Sequence, residues 1–444
     1  MTRLRPVSIV FVLLALMSFV YQLGGGRGGE GGSIDPLAES TLALGFVLLF
    51  AFSLGQMALA LKAPSITGFL VAGILAGPFV LGFVTHKSAE PLQLVNGLAL
   101  SLIAFTAGGE LKIDRFMPRI KTLLWAATAQ FGYTFFAVFS TLFPLFYFTG
   151  LLGGSLAIAF CGAVLISALS TANSPATAIA VITETKSSGP VSDLIIGVTV
   201  LKDVIVVVVF GIALGLIEAV IGQGKGMGYH LALDMFYEIT ISLLIGWAAG
   251  ALMTVYLRLT DRNIGLFVVA AALIVVEVSA AFGASLLLAS IMAGFIVENY
   301  SKTGEKLIKG IETSSAPIYV IFFSLAGQGL DLNAVAEMWP YALVLVLARM
   351  VGVRKGTVDG VRKTGEAPSE GKYAWTGFIG QAGVSIGFAL AIGAQFPGWG
   401  QKLATLALAG IAINQIIGPI MMKRSLILAG EASTTPAPIE EKPA

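Results

Sequence analysis

Ser170-Thr171-Ala172-Asn173-Ser174-Pro175 stands in the middle of a long apolar run, 154–184, and its reading decides the fold. Proline has no amide proton and collides with the preceding helical turn, so it ends or kinks a helix. At membrane depth such a break frees carbonyls and amides, which is tolerable only where they line a cavity or bind something. A plain kinked helix is the alternative. Gly380-Gln381-Ala382-Gly383 interrupts a second apolar run, 373–395, at a corresponding place in the other half of the chain. Two matched breaks argue against a kink without purpose.

Those runs lie in a chain of 444 residues, of which 56% are hydrophobic and 12% charged, with mean hydropathy +0.89. A soluble domain carries about twice that charge, so lipid must be the main solvent. Runs of roughly 20 apolar residues, enough to cross a bilayer, occur near 5–23, 38–61, 65–84, 93–111, 122–147, 154–184, 190–215, 231–257, 263–279, 284–299, 310–328, 339–354, 373–395 and 402–422. Cys161 alone excludes an intrachain disulfide framework and a multi-cysteine metal site, and His86 and His230, both in loops, cannot build a zinc site. Nothing resembles a nucleophile–base constellation or a phosphate loop, and Gly24–Gly32 has linker composition. The expectation is therefore a non-enzyme with no cofactor and no nucleic-acid partner, surrounded by membrane lipid.

Lysine and arginine set the orientation, because cytoplasmic loops keep the positive charge. With Arg3 and Arg5 inside and each run crossing once, only Arg27, Lys87, Lys225 and Lys402 of the 27 basic residues fall outside. Lys202 and Arg349 fall within spans, and all the others, from Lys62 and the Lys112–Lys121 group to Lys423, fall inside. The expectation is a multi-pass protein of the inner (plasma) membrane with a cytoplasmic C-terminus. Residues 1–33 read either as a signal peptide or as an extra N-terminal span, and 430–444 as a disordered tail. The thirteen remaining spans divide into a first unit, 38–215, a linker helix, 231–257, and a second unit, 263–425. An odd linker turns the second six-helix unit upside down. The fold expected is thus an all-α polytopic membrane protein of inverted repeats with two broken helices, whose site lies at the midplane between the repeats.

Asp203 sits in Val198–Ile212, which is otherwise apolar apart from Lys202. A carboxylate at that depth costs several kcal/mol, marks function and faces the protein interior. Arg349, inside Leu343–Val353, is its natural counter-charge; a purely structural ion pair is the alternative. Burial raises the affinity of Asp203 for a proton, whereas a metal cation favours the ionised form. Proton and monovalent cation then compete for one group, which at an alternating-access site is antiport. Thr171, Asn173, Ser174 and Gln381 line the breaks marked by Pro175, Gly380 and Gly383 and could supply oxygen ligands. Lys202 would repel a cation if it pointed into the same cavity; it could instead bond backbone carbonyls. Glu110 is a second candidate counter-charge or a solvated end residue, and Glu277 reads as structural.

Lys62–Phe69 with Ala72-Gly73-Ile74-Leu75-Ala76-Gly77-Pro78, Phe105-Thr106-Ala107-Gly108-Gly109-Glu110-Leu111, Ala281–Ser285 with Ala293-Gly294, and Gly418-Pro419 together resemble the monovalent cation:proton antiporter superfamily, in its Kef-like second branch and of sodium/hydrogen exchanger type. The resemblance covers roughly 38–425. It implies two crossed, unwound helices, 154–184 and 373–395, an ion-binding acid matching Asp203 and a basic residue matching Arg349. It further implies an elevator motion, a homodimer, and Na⁺ or K⁺ with H⁺ as partners. Lys202-Asp203 departs from the acidic or amide residue that the family places before its aspartate, leaving room for electroneutral exchange around a fixed positive charge. An anion or organic-solute carrier on the same scaffold and a non-transporting membrane sensor are the alternatives.

Overall fold

The structure is a computed structural model describing residues 10, 12–15, 36–84, 93–221, 228–259, 263–301, 304–330, 332–381, 384–396 and 398–432. Among these there is no strand; every element is helical. The principal helices are α1 Pro36–Ala60, α2 Ser65–Ala76, α3 Gln93–Glu110, α4 Ile120–Thr149, α5 Leu156–Ser170, α6 Pro175–Thr185, α7 Pro190–Ile221 and α8 Gly228–Leu259. They continue with α9 Ile264–Ala281, α10 Leu286–Ser301, α11 Gly304–Gln328, α12 Leu332–Arg362, α13 Pro368–Ala374, α14 Val384–Gln395 and α15 Trp399–Leu428. A 3₁₀ turn, Trp375–Phe378, prolongs α13.

Seven segments among the described residues are long and apolar enough to cross a membrane, and four shorter apolar helices lie among them. The expected run 65–84 is helical only to Ala76. Gly77-Pro78 ends α2, and the chain folds back so that Val84 N donates to Ala76 O at 2.9 Å. The run near 5–23, the loop 85–92 with His86, and the tail beyond 432 lie outside the described residues.

Small residues set the packing where helices cannot use a hydrophobic driving force against lipid. Gly352, Gly356 and Gly360 form a stripe on α12 that meets the backbone of Thr134, Gln130 and Ala126 on α4, so the two helices run antiparallel in close contact. Any Cβ on that stripe would collide with the α4 main chain. Gly73 of α2 and Gly327 of α11 oppose each other in the same way, against Ser324 O and Leu70 O. Gly108 of α3 and Gly294 of α10 do so against Ile291 O and Phe105 O.

A polar layer divides the core. On α4, Leu123, Ala126 and Ala127 belong to one apolar cluster and Val138, Leu142 and Phe146 to another, with Gln130 and Thr134 between them. The same alternation recurs on α7, where Thr199 and Lys202 separate Val198 from Phe210, and on α12, where Arg349 separates Leu345 from Val353. On α15, Asn414 and Gln415 separate Ile411 from Met422. Four helices thus interrupt their apolar faces at one level, where α5 gives way to α6.

Most of the positively charged loops also meet one another. Lys423 donates to Ala63 O and Glu184, Arg119 pairs with Glu366 and Glu370 and donates to Pro190 O, and Arg258 donates to Tyr300 O. Lys112 bridges to Glu298 at 3.1 Å. The loops expected on one side of the membrane are therefore joined by hydrogen bonds and ion pairs at one end of the molecule.

Candidate functional site: a crossover of two broken helices

The first break begins where α5 ends at Ser170. Pro175 opens α6, and Ser174 caps it by accepting from the amide of Thr177 at 3.2 Å, the usual use of a serine at a helix start. Across the gap the second break begins after Phe378. Ser174 N donates to Gly380 O at 2.8 Å, so the two unwound segments cross and are stitched backbone to backbone. The two breaks therefore meet, and Thr171, Asn173, Ser174, Gly380 and Gln381 are brought together. Gly383 and Ala382 lie outside the described residues.

Arg349 is completely buried and ties the two breaks together. Its Nε donates to Ser170 O at 2.8 Å and its Nη1 to Ile379 O at 2.8 Å, while Nη2 donates to Ala172 O at 2.8 Å and Phe378 O at 2.9 Å. These carbonyls belong to the C-terminal ends of both broken helices, where orphan acceptors and the negative end of the helix dipole call for a cation. The sequence suggested Asp203 as the partner of this guanidinium, and that side chain lies outside the described residues; the main-chain carbonyls described here are partners that no side-chain pattern announces.

Lys202, on α7, is 1% exposed. Its ammonium donates to Gln130 Oε1 and, at 3.3 Å, to Asn173 Oδ1. The same Asn173 oxygen accepts from Arg349 Nη2 at 3.5 Å, so one amide oxygen sits between two buried cations. Gln130 is aimed by its other end: Nε2 donates to Thr357 Oγ1 at 2.8 Å, and Thr357 donates onward to Val353 O. Gln130 and Thr357 were not singled out in the sequence, since a neutral amide or hydroxyl in an apolar span carries no penalty large enough to flag it. Gly356, one residue before Thr357, was the available signal, because it lets α12 approach α4 at Gln130.

Thr171 turns its hydroxyl back to Ala168 O at 2.7 Å and contributes its position instead. Gln381 Oε1 accepts from Asn414 Nδ2 at 2.8 Å, bringing in a further residue of α15. Asp203 occupies the position after Lys202 on α7, and Glu110 ends α3; the side chains of both lie outside the described residues. Glu277 is exposed on α9. Among the described residues no group of three or more His, Cys, Asp or Glu could hold a metal ion.

A helical membrane protein whose polar mid-layer is built from two crossed, unwound helices and buried charges belongs to the class of ion-coupled carriers. Residues 9–427 match the family model described as "Sodium/hydrogen exchanger, transmembrane", and the chain belongs to that family. It is 22% identical over 373 residues to a Na⁺/H⁺ antiporter of Enterococcus hirae, covering 81% of this chain and 91% of that one. It is also 22% identical over 355 residues to the Na⁺/H⁺-K⁺ antiporter GerN of Bacillus cereus, covering 78% and 86%. The structure is similar to that of the sodium proton antiporter MjNhaP1 from Methanocaldococcus jannaschii, with a TM-score of 0.68 at 18% identity over 88% of this chain and 98% of that one, which shows the shared fold. The chain is thus an integral membrane protein of an exchanger family.

Proposed function

We propose that the protein exchanges a monovalent cation, Na⁺ or K⁺, for protons, with Asp203 as the group for which the two ions compete. The observation carrying this reading is Asn173 Oδ1, shared by Lys202 and Arg349 inside a buried polar layer. Two cations so close need a neighbouring anion, because an uncompensated buried charge costs several kcal/mol. Asp203 follows Lys202 directly. Its carboxylate is the group we assign to take one proton or one free cation in turn, the competition on which antiport rests. Asn173, Ser174, Thr171 and Gln381 furnish the surrounding polar groups, and Arg349 keeps both breaks open. The printed activities of the relatives agree with Na⁺ and H⁺ as partners, and that of GerN adds K⁺.

The same reading makes 38–215 and 263–425 inverted repeats of six helices about the linker 231–257, moving as an elevator in a homodimer of the inner membrane with the C-terminus in the cytoplasm. Its support is the packing: exchanging the units turns the α2–α11 contact into the α10–α3 contact, while α4 and α12 meet each other antiparallel. Proteoliposomes with an internal pH dye should show Na⁺- or K⁺-dependent proton movement that Asp203→Asn abolishes. Undiminished movement in that variant refutes the assignment. Solute uptake indifferent to Na⁺, K⁺ and Li⁺ would move the protein to the anion-carrier reading.

A further inference from the structure

Gln130 Oε1 and Asn173 Oδ1 are neutral amide oxygens, ligands of the kind that hold ammonium or an alkali ion. Both converge on the ammonium of Lys202. The first is aimed by the Thr357 hydroxyl and by the close approach of α4 to Gly356, and the second is fixed in the first break. Such support behind the contacting atoms is what distinguishes a built site from a chance contact. All of these residues are buried.

We infer that Lys202 is a tethered occupant of a cation site formed by Gln130 and Asn173. Held by its own chain, the ammonium takes the place a second free cation would have and leaves one free ion to the neighbouring carboxylate. Lys202 thereby sets how many cations travel per cycle and is a specificity-determining residue rather than an ion carrier. This rests on the exchanger reading for its consequence in transport, but the site itself can be tested without transport.

Removing the ammonium should open the two oxygens to a free cation of similar size. Purified full-length Lys202→Ala, melted in detergent with ammonium chloride, potassium chloride or N-methylglucamine chloride, should be destabilised in the last and regain several degrees of Tm, saturably, in ammonium or potassium. Wild-type protein should show less than a third of that gain, and adding Gln130→Met to Lys202→Ala should remove it. Lys202→Met, which keeps the volume of the stem, gives the same comparison if the alanine variant does not fold. Absence of an ammonium- or potassium-specific gain in both variants, or an equal gain in wild type, overturns the inference. The Asp203→Asn flux assay is independent: its failure removes the exchanger reading while a positive melting result would leave the cation site standing.

Discussion

Helices α7 and α15 each follow one of the two breaks and each carries two adjacent polar residues at mid-height, Lys202-Asp203 on the first and Asn414-Gln415 on the second. The resemblance stops there. Around α7 a buried charge is met by amides, Lys202 by Gln130 and Asn173 and Gln130 by Thr357, while Thr199 Oγ1, Thr134 Oγ1 and Asn173 Nδ2 are buried without a hydrogen-bond partner. Around α15 polar atoms are left over as well, with Gln381 Nε2, Ser385 Oγ, Asn414 Oδ1 and Gln415 Oε1 all buried without a hydrogen-bond partner. An unmet buried polar atom costs about 1–3 kcal/mol. One half of the layer therefore carries a buried charge and the other only neutral amides, and each keeps buried polar atoms without a partner. The two helices carry different groups at mid-height, a buried lysine on α7 and neutral amides on α15, and Arg349 links both breaks.

That contrast can be broken most forcefully at Arg349. Arg349→Ala strips donors from carbonyls of both breaks and should cost about 3–5 kcal/mol, seen as a collapse of the detergent melting temperature; a loss below about 1 kcal/mol would mean the guanidinium is not what holds the crossing. A smaller effect sharpens the difference between the halves. Gln130→Met should cost about 1–3 kcal/mol because it leaves Lys202 and Thr357 short of a partner. Gln415→Met removes a buried oxygen that has no partner and should leave the protein no less stable than wild type. Equal losses in the two variants would erase the asymmetry.

The smallest effect lies outside the membrane layer, at Glu370. Burial pushes its carboxyl above the ordinary value, the contact with Arg119 only partly offsets this, and Glu366 and Glu431 push the same way as burial. The native state thus keeps this proton to higher pH than the unfolded chain does. The contribution to stability is fully present below the ordinary carboxylate range and fades as pH rises through the raised value. Glu370→Gln should flatten that part of the Tm-against-pH curve; an unchanged slope would rule the residue out as its source.

Much of this was legible in the residues themselves. Pro175 and the polar run before it fixed the first break to the residue, because a missing amide proton acts locally. Asp203, Lys202 and Arg349 stood out because charge in an apolar run is expensive wherever the helix points. What stayed hidden depends on which helices meet. Gln130 and Thr357 gain their role only when the Gly352, Gly356 and Gly360 stripe presses α12 onto α4. The carbonyl partners of Arg349 carry no side-chain signature, so the residues alone do not announce them. The second break was expected within 373–395, whereas its helix starts at Pro368, since the polar stretch Pro368-Ser369-Glu370-Gly371-Lys372 hides a helical start from hydropathy.

The stitch between Ser174 N and Gly380 O has a consequence for how permanent the gap in the first broken helix is. To become one continuous rod, that helix would need Ser170 O to receive the amide of Ser174, which is committed to the opposite strand of the crossing, and Thr171 O to receive an amide that Pro175 does not have. The Ser170 and Ala172 oxygens are meanwhile claimed by the guanidinium. Rewinding would have to undo three independent commitments at once, so the opening is a fixed fitting of the molecule and not a gate that swings with each passenger.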